Sequence, residues 1–531
     1  MADTVREIER KYEATDQTEL PDLTAVERVA AVVERGVVDL DATYYDTAEQ
    51  RLAAAGITLR RRTGGEDAGW HLKLPVALGV RDEVRTPLSD APPPELTALV
   101  RSRTLGRELA PVVRLRTRRT VRLLQDADGT VLAELAVDAV RATRADRTGA
   151  EAAWHEIEVE LTGESGGGAA FLDEVGGVLA AAGVRPAAAA SKLARALAET
   201  DETAAGSAPR EPGVDGTRDE HGKRDKRSGK PGKPGRRSGK KAHTAGDVVL
   251  RYAREQVRAL IALDPAVRRD LPDSVHQMRV ATRRLRSTFR SYTQVLDRAA
   301  TRPLGLELQW LAAELGVDRD REVLTARLSG ALARLPRTLR LGPVSARLRI
   351  WSQRRRLGSR REVLAVLDGE RYLELLRSLE ALLADPPLRP AATRPAPEVL
   401  VKAVRKDYAR LADRVEAALQ APAGPGRDEA LHAARKAAKR LRYATEAARP
   451  VLGKPAQKFT KRTKRVQQLL GDHQDSVVAR GALRELATQA QRAGEGGFTF
   501  GLLYGREEAL AAERERELPG VWAKAAPPSG W

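Results

Sequence analysis

The chain has 531 residues, 92 Lys+Arg against 73 Asp+Glu for a formal charge of +19, 42% apolar and 4% aromatic residues, and no cysteine. That length exceeds one ordinary core and calls for two or three domains, and the basic excess makes a polyanion the leading class of partner, nucleic acid being only one such. The lack of cysteine excludes disulfides, thiolate metal sites and a cysteine nucleophile.

No 18-residue apolar run occurs, and Asp3, Glu7 and Glu9 stand where a secretory signal needs an apolar core, so a cytoplasmic protein without a membrane span is expected. In chain order, period-two patterns predict strands at 6–13 (REIERKYE), 56–62, 70–75, 80–88, 113–124, 131–140 and 154–161 (WHEIEVEL). Turn signals separate them at Thr63-Gly64-Gly65 and at Asp126-Ala127-Asp128-Gly129. Residues 23–35 (LTAVERVAAVVER) and 169–183 read as helices. The first 200 residues are thus expected to form an antiparallel α+β domain.

Residues 201–244 include GKRDKRSGKPGKPGRRSGKK, which offers no apolar side chain to a core and reads as a disordered basic linker, either a spacer or a salt-sensitive polyanion tether. From 245 to 522 the pattern is helical. Stretches 248–263, 274–296, 397–419 and 428–448 are rich in Ala, Leu and Arg, with apolar residues recurring at three and four.

The strands of the first domain carry charged faces. On 6–13 the side chains of Glu7, Glu9 and Lys11 share one side and Ile8 the other; on 154–161 Glu156, Glu158 and Glu160 oppose Ile157, Val159 and Leu161; Arg60 and Arg62 share a face. One such face is ordinarily solvated. Five or six suggest a sheet curled into a barrel with the charges inward, carboxylates toward divalent metal and Arg and Lys toward phosphates.

Glu7-Ile8-Glu9-Arg10-Lys11 resembles the ExExK signature of the CYTH domain, the triphosphate tunnel metalloenzymes. The likeness continues through Tyr44-Tyr45-Asp46-Thr47, Leu59-Arg60-Arg61-Arg62, Trp70-His71-Leu72-Lys73, Arg81 with Glu83, Thr117-Arg118-Arg119-Thr120, Val137-Asp138, Glu156-Ile157-Glu158 and Ser191-Lys192. It covers about residues 3 to 200, within a domain bounded at 1–200. It implies an eight-stranded antiparallel β-tunnel with flanking helices, hydrolysing triphosphates with Mg2+ or Mn2+. Carried over by position, Glu7, Glu9, Asp138, Glu156 and Glu158 are the metal-side carboxylates, and Lys11, Arg60, Arg62, Lys73, Arg81, Arg119 and Lys192 the phosphate grip. Glu7, Glu9 and Lys11 are the expected catalytic group. Glu160 extends the metal-side face, and Arg118 is expected to point outward unless the register slips by one. Trp70 and Trp154 could stack on a base or a thiazolium, although a strand tryptophan more often packs against a helix.

The helical half contains a duplication. His276, Arg279, Arg283 and Arg286 in HQMRVATRRLR correspond to His432, Arg435, Lys439 and Arg442 in HAARKAAKRLR, and LGVDRD at 315–320 corresponds to LGDHQD at 470–475. Positions 0, 3, 7 and 10 lie within about 80° on a helix, so each copy presents one basic stripe. Arg290 continues the first stripe, whereas Glu446 stands in its place in the second. This segment resembles the CHAD domain, a helical bundle of two pseudo-symmetric halves, which implies a basic channel for inorganic polyphosphate. The two stripes are then the polyphosphate-binding residues, and Asp320 and Asp475 would orient the arginines.

The expected protein is a metal-dependent inorganic triphosphatase, a hydrolase of phosphoanhydride bonds, joined to a polyphosphate-binding domain that could raise local substrate concentration or tether the enzyme to polyphosphate granules. An adenylate cyclase or thiamine triphosphatase in the same tunnel, and a non-catalytic polyphosphate-binding scaffold, are the alternatives. Nucleic acid is the weaker partner, because the basic helices lack interleaved aromatics.

Overall fold

The computed structural model describes residues 3–146, 151–163, 168–201, 243–529 and 531, with the side chains of 317–322 and 354–359 also outside the description. The chain divides into two compact units, Met1–Pro234 and Gly235–Trp531. The expected linker 201–244 lies, apart from its ends, outside the described residues.

The first unit is a closed antiparallel barrel. Its strands are β1 (Asp3–Ala14), β2 (Ala31–Asp46), β3 (Thr58–Thr63), β4 (Gly69–Ala77), β5 (Val80–Thr86), β6 (Ala110–Gln125), β7 (Val131–Arg144) and β8 (Glu151–Leu161), in the spatial order β1-β5-β4-β3-β2-β6-β7-β8. Closure rests on β1, which pairs with β5 through Asp3–Ile8 and with β8 through Glu9–Ala14. All seven expected strands form. The eighth, β2, occupies part of the stretch 23–35 expected as helix: a single 3-10 turn at Leu23–Ala25, capped by Asp22, gives way to extended chain from Ala31. The Ala, Val and Glu spacing fits a helix by periodicity. However, the β-branched residues Val32, Val33, Val37 and Val38 find ladder partners on β6, and that pairing decides.

Period two sends every other side chain out of the barrel, where helices cover them. Helix α1 (Pro94–Thr104) lays Leu96, Leu99 and Val100 on Leu59, Trp70, Leu72 and Val84. Helix α2 (Gly168–Ala181) lays Phe171, Leu172, Val175 and Leu179 on Tyr12, Leu135, Ile157 and Val159. Helix α3 (Lys192–Glu199), capped by Ser191, packs instead on inward-facing side chains: Leu193, Ala196 and Leu197 meet Tyr44, Val113, Leu115, Val140 and Trp154, which share the faces of Arg119, Asp138 and Glu156. Both tryptophans are packing residues: Trp70 is fully buried with its indole N–H on the Ser89 carbonyl, and Trp154 lies in the α3 cluster under Arg195.

The second unit is helical: α4 (Ala245–Arg268), α5 (Ser274–Ser291), α6 (Arg298–Glu314), α7 (Gly316–Ala333), α8 (Val344–Asp368), α9 (Glu370–Ala384), α10 (Ala396–Gln420), α11 (Pro425–Arg492) and α12 (Phe498–Ala523). Helix α11 breaks at Gly453 (φ 61°), between Pro450 and Pro455. The repeated sequence elements occupy equivalent places. In α5 the Arg279 guanidinium lies over Gly316, where a Cβ would come within 2.9 Å of it; in α11 Arg435 lies over Gly471 at 3.6 Å. The glycine of each Leu-Gly pair therefore makes room for the second basic residue of each stripe. The halves are joined by the Arg284–Glu446 ion pair and by the Tyr292 hydroxyl donating to the Ala444 carbonyl at 2.5 Å. Among the described residues no helix is long and apolar enough to cross a membrane.

The β3–β4 turn depends on glycine. Gly64 has φ +83°, and a Cβ there would lie 2.2 Å from the Asp39 carbonyl oxygen, whereas Gly129 has φ +75° and open space around it. Gly129→Ala is expected to cost about 1–2 kcal/mol from the left-handed conformation alone. Gly64→Ala should cost roughly a further 1–3 kcal/mol from the backbone clash. Urea unfolding of both variants checks the difference.

Candidate functional site

The inward faces of β1 and its neighbours place side chains of opposite charge side by side, because antiparallel pairing sets Glu7 beside Arg81 and Lys11 beside Glu158. The result is a cavity of about 810 Å³ lined, among the described residues, by nine carboxylates and nine Lys or Arg side chains. Lys73 Nζ contacts Glu7 Oε2 at 2.7 Å, Lys11 Nζ contacts Glu9 Oε2 at 3.1 Å and also pairs with Glu158, and Arg81 Nε lies 3.9 Å from Glu9 Oε1. Arg119 grips Asp138 with two nitrogens, at 2.8 and 2.7 Å. Arg60 and Arg62 face inward from β3. Arg118 is exposed on the outer wall, as the expected register requires.

Glu7, Glu9, Lys11, Arg60, Arg62, Lys73, Arg81, Arg119, Glu158 and Lys192 all line the cavity. Asp138 and Glu156 are buried behind it, and the carboxylates do not form one group. Asp138, Glu156 and Glu158 converge, with one oxygen from each within 4.8 Å of the others. The Lys192 ammonium sits on all three, at 2.9, 2.6 and 2.5 Å, and the Trp154 indole holds the second Glu156 oxygen at 2.7 Å. Glu7, Glu9 and Glu160 form a second acidic region, with Glu9 and Glu160 paired across β1 and β8. Both sets offer only hard carboxylate oxygens, a chemistry that suits Mg2+ or Mn2+.

Of the lining residues outside the expected set, Glu83, Arg85 and Tyr44 engage its members directly. Glu83 is almost fully buried and meets Arg60 at 3.7 Å, Lys73 at 3.6 Å and the His71 ring at 2.9 Å; Arg85 pairs with the same carboxylate, and Tyr44 accepts from Arg60 at 3.3 Å. Inward alternation from Arg81 marks Glu83 and Arg85 in the sequence; Tyr44 carried no charge to mark it.

Burial raises Glu7, whereas for Glu9 burial is outweighed by Lys11, and for Glu158 it is outweighed by Lys11, Lys192 and Arg119, which hold both carboxylates ionised. Arg62 is pulled down to about 9 by burial, helped by Arg60 and Arg119. Burial pushes Glu160 up to about 7; Lys73 opposes, and Glu7, Glu9 and Glu158 add to the rise.

In the second unit a basic groove runs between α5, α10 and α11. It is lined by Arg283, Arg286 and Arg290 from α5, Arg410 and Arg414 from α10, and Lys436, Lys439 and Arg440 from α11. Arg283, Arg286 and Lys439 of the expected stripes reach it. His276, Arg279, His432, Arg435 and Arg442 are half-buried and are not among its lining residues. Arg435 turns to Asp475 at 3.7 Å, as expected; the Asp320 side chain lies outside the described residues. His432 is held below its ordinary value by burial and by neighbouring Lys436, Arg435 and Lys439, with a bond to Gln474 opposing. The α10 residues arrive from a helix distant in sequence, which a stripe search on one helix does not reach.

The Glu160 shift gives a pH prediction. A carboxyl raised from 4.5 to about 7 binds its proton more tightly folded than unfolded, so its contribution to stability falls as pH rises across that window and is constant above it. Glu160→Gln is expected to gain on the wild type in urea-unfolding midpoint between pH 5 and pH 8. An equal offset at both values would show that Glu160 does not titrate there.

Comparison with known proteins agrees with this division. The CYTH domain model matches residues 5–173 and the CHAD domain model residues 251–484. Two Mycobacterium tuberculosis proteins, MT2285 of strain CDC 1551 and Rv2226 of strain H37Rv, are each 37% identical over 524 residues, covering 96% of this chain and 94% of theirs. Among solved structures, PptA from Streptomyces chartreusis is 22% identical (53% of this chain, 99% of that one, TM-score 0.45), and the CHAD domain from the plant Ricinus communis is 25% identical (54% and 92%, TM-score 0.43). HpAC1 from Hippeastrum, described as revealing a dominant triphosphatase activity, is 17% identical (37% and 95%, TM-score 0.22). The chain belongs to the family of proteins in which a CYTH domain is followed by a CHAD domain.

Proposed function

We propose that the barrel is a metal-dependent inorganic triphosphatase and that the helical unit binds inorganic polyphosphate. The observation that carries the first reading is the charge balance of the cavity. Nine acids against nine bases leave it near neutral, so a triphosphate of about four negative charges fits only together with cations of matching charge. The acidic sets Asp138–Glu156–Glu158 and Glu7–Glu9–Glu160 would hold them. Divalent metal there would neutralise phosphate oxygens and lower the pKa of water.

The chain's own groups do the rest. Arg60, Arg62 and Arg119 offer planar two-point grips and Lys11, Lys73 and Lys192 point charges, which orient the phosphate chain and oppose charge growing on the leaving oxygens. Among the described residues Tyr44 is the one aromatic residue lining the cavity, and it is engaged by Arg60, so none of them offers a free ring to a nucleobase or thiazolium. This favours an all-phosphate substrate over ATP or thiamine triphosphate. The triphosphatase activity described for HpAC1 is in keeping with this reading.

The groove of the second unit carries a surplus of positive charge, the arrangement expected for a salt-sensitive polyanion site. A tethering role toward polyphosphate deposits follows if one chain engages both.

The direct test is phosphate release from tripolyphosphate with Mg2+ or Mn2+. Glu7→Gln/Glu9→Gln is expected to lose at least about 100-fold in rate, read at a temperature where urea unfolding shows both proteins folded. Release of cyclic AMP from ATP would favour the cyclase, and no release from tripolyphosphate, ATP or thiamine triphosphate would favour the scaffold. For the groove, Arg286→Ala/Lys439→Ala should weaken polyphosphate binding and reduce the slope of log K against log salt by about 1 to 2.

A further inference from the structure

The phosphate grip contains one cation whose anionic partner is of a different kind from the others. Lys11, Lys73 and Lys192 are paired with strand carboxylates at most 12% exposed, and Arg119 with two such carboxylates and, at 3.9 Å, with the more exposed strand residue Glu134. Arg62 is paired instead with Asp67, which lies in the loop between β3 and β4 and whose side chain is 38% exposed. The Asp67 side chain enters the cavity from one end of that loop and meets Arg62 inside.

The loop itself is pinned. At Gly64 a Cβ would strike the Asp39 carbonyl, and at Gly69 one would lie 2.6 Å from the Thr86 carbonyl, so the backbone is clamped against β2 at one end and β5 at the other. The buried His71 ring braces the end nearer β4: its Nε2 stands 2.9 Å from the Asp67 carbonyl and its Nδ1 2.9 Å from the Glu83 carboxylate. With the backbone held at three points, the carboxylate of Asp67 is the part left to move, and its exposure lets water take it over at small cost. Arg62, buried and crowded by Arg60 and Arg119, is stabilised by an anion beside it.

We propose that Asp67 is a built-in competitor of the substrate, holding Arg62 in place of a phosphate and so setting the affinity of the cavity for phosphate chains. A phosphate group that reaches Arg62 displaces the carboxylate to water. After the chain is cut, the carboxylate returns and helps to expel the product. Asp67 is thus an affinity-determining residue acting through Arg62, and the proposal rests on the triphosphatase reading.

The test compares wild type, Asp67→Asn and Asp67→Ala in full-length protein with tripolyphosphate and Mg2+, reading KM, kcat and the inhibition constant for orthophosphate. If Asp67 leaves Arg62 open about a tenth of the time, both variants should lower KM and the phosphate inhibition constant about tenfold. Both variants should be folded at the assay temperature by urea unfolding, and the effect should vanish when Asp67→Asn is placed on Arg62→Ala. Unchanged or raised KM and inhibition constants, or an equal shift in the Arg62→Ala background, would overturn the proposal while leaving the triphosphatase reading intact. A wild type that releases no phosphate would overturn that reading, and the proposal with it.

Discussion

Charge enclosed in a barrel must be matched, and the first unit is organised around that requirement. An unpaired Lys or carboxylate taken from water into such an interior costs several kcal/mol, so each inward cation must meet an acid and each acid a cation. Antiparallel registry supplies the matches: β1 alone sets Glu7 beside Arg81 and Lys11 beside Glu158. Helix α3 completes them by delivering Lys192 to the three acids of β7 and β8. The barrel is therefore both a fold and a store of paired charge, ready to exchange its internal partners for a ligand that brings both signs.

This balance separates the two units physically. In the barrel the described lining residues set as many acids as bases before a bare polyanion, a balance that does not by itself attract one. In the helical unit the groove between α5, α10 and α11 presents a surplus of bases, and its only requirement is negative charge. The first arrangement suits selective chemistry and the second suits capture. The outer faces of the barrel serve neither purpose. Trp70, Ile157 and Val159 lie there, and they hold α1 and α2 in place by ordinary apolar burial.

A buried network of this kind also explains how neighbouring carboxylates can differ. Glu158 lies among three cations and stays ionised, whereas Glu160, two residues along the same face, lies among acids and is pushed toward neutrality. Spacing in the sequence is the same for both. The difference comes from what the adjoining strands and α3 bring to each.

The alternation of charged and apolar residues was enough to mark seven strands, their inward faces and the sidedness of Arg118 and Arg119, because the period of a strand is a property of the local backbone. The duplicated stripes and Leu-Gly pairs likewise showed two related helical halves. Local pattern failed where pairing between distant segments decided the outcome. Residues 31–35 satisfied a helical period but extended, since β6 offered their valines a ladder. The expected metal carboxylates separated into two groups along neighbouring strands, Asp138, Glu156 and Glu158 gathering on Lys192 and Glu7 and Glu9 lying by Glu160, because register and α3 decide which cation each one meets. The groove recruited Arg410 and Arg414 from α10, and the pairing of Arg62 with Asp67 depended on a loop folding back over the cavity. The sequence by itself determined which faces carry charge; only the tertiary structure decided which charges meet, because electrostatic pairing acts across distances that chain order does not record.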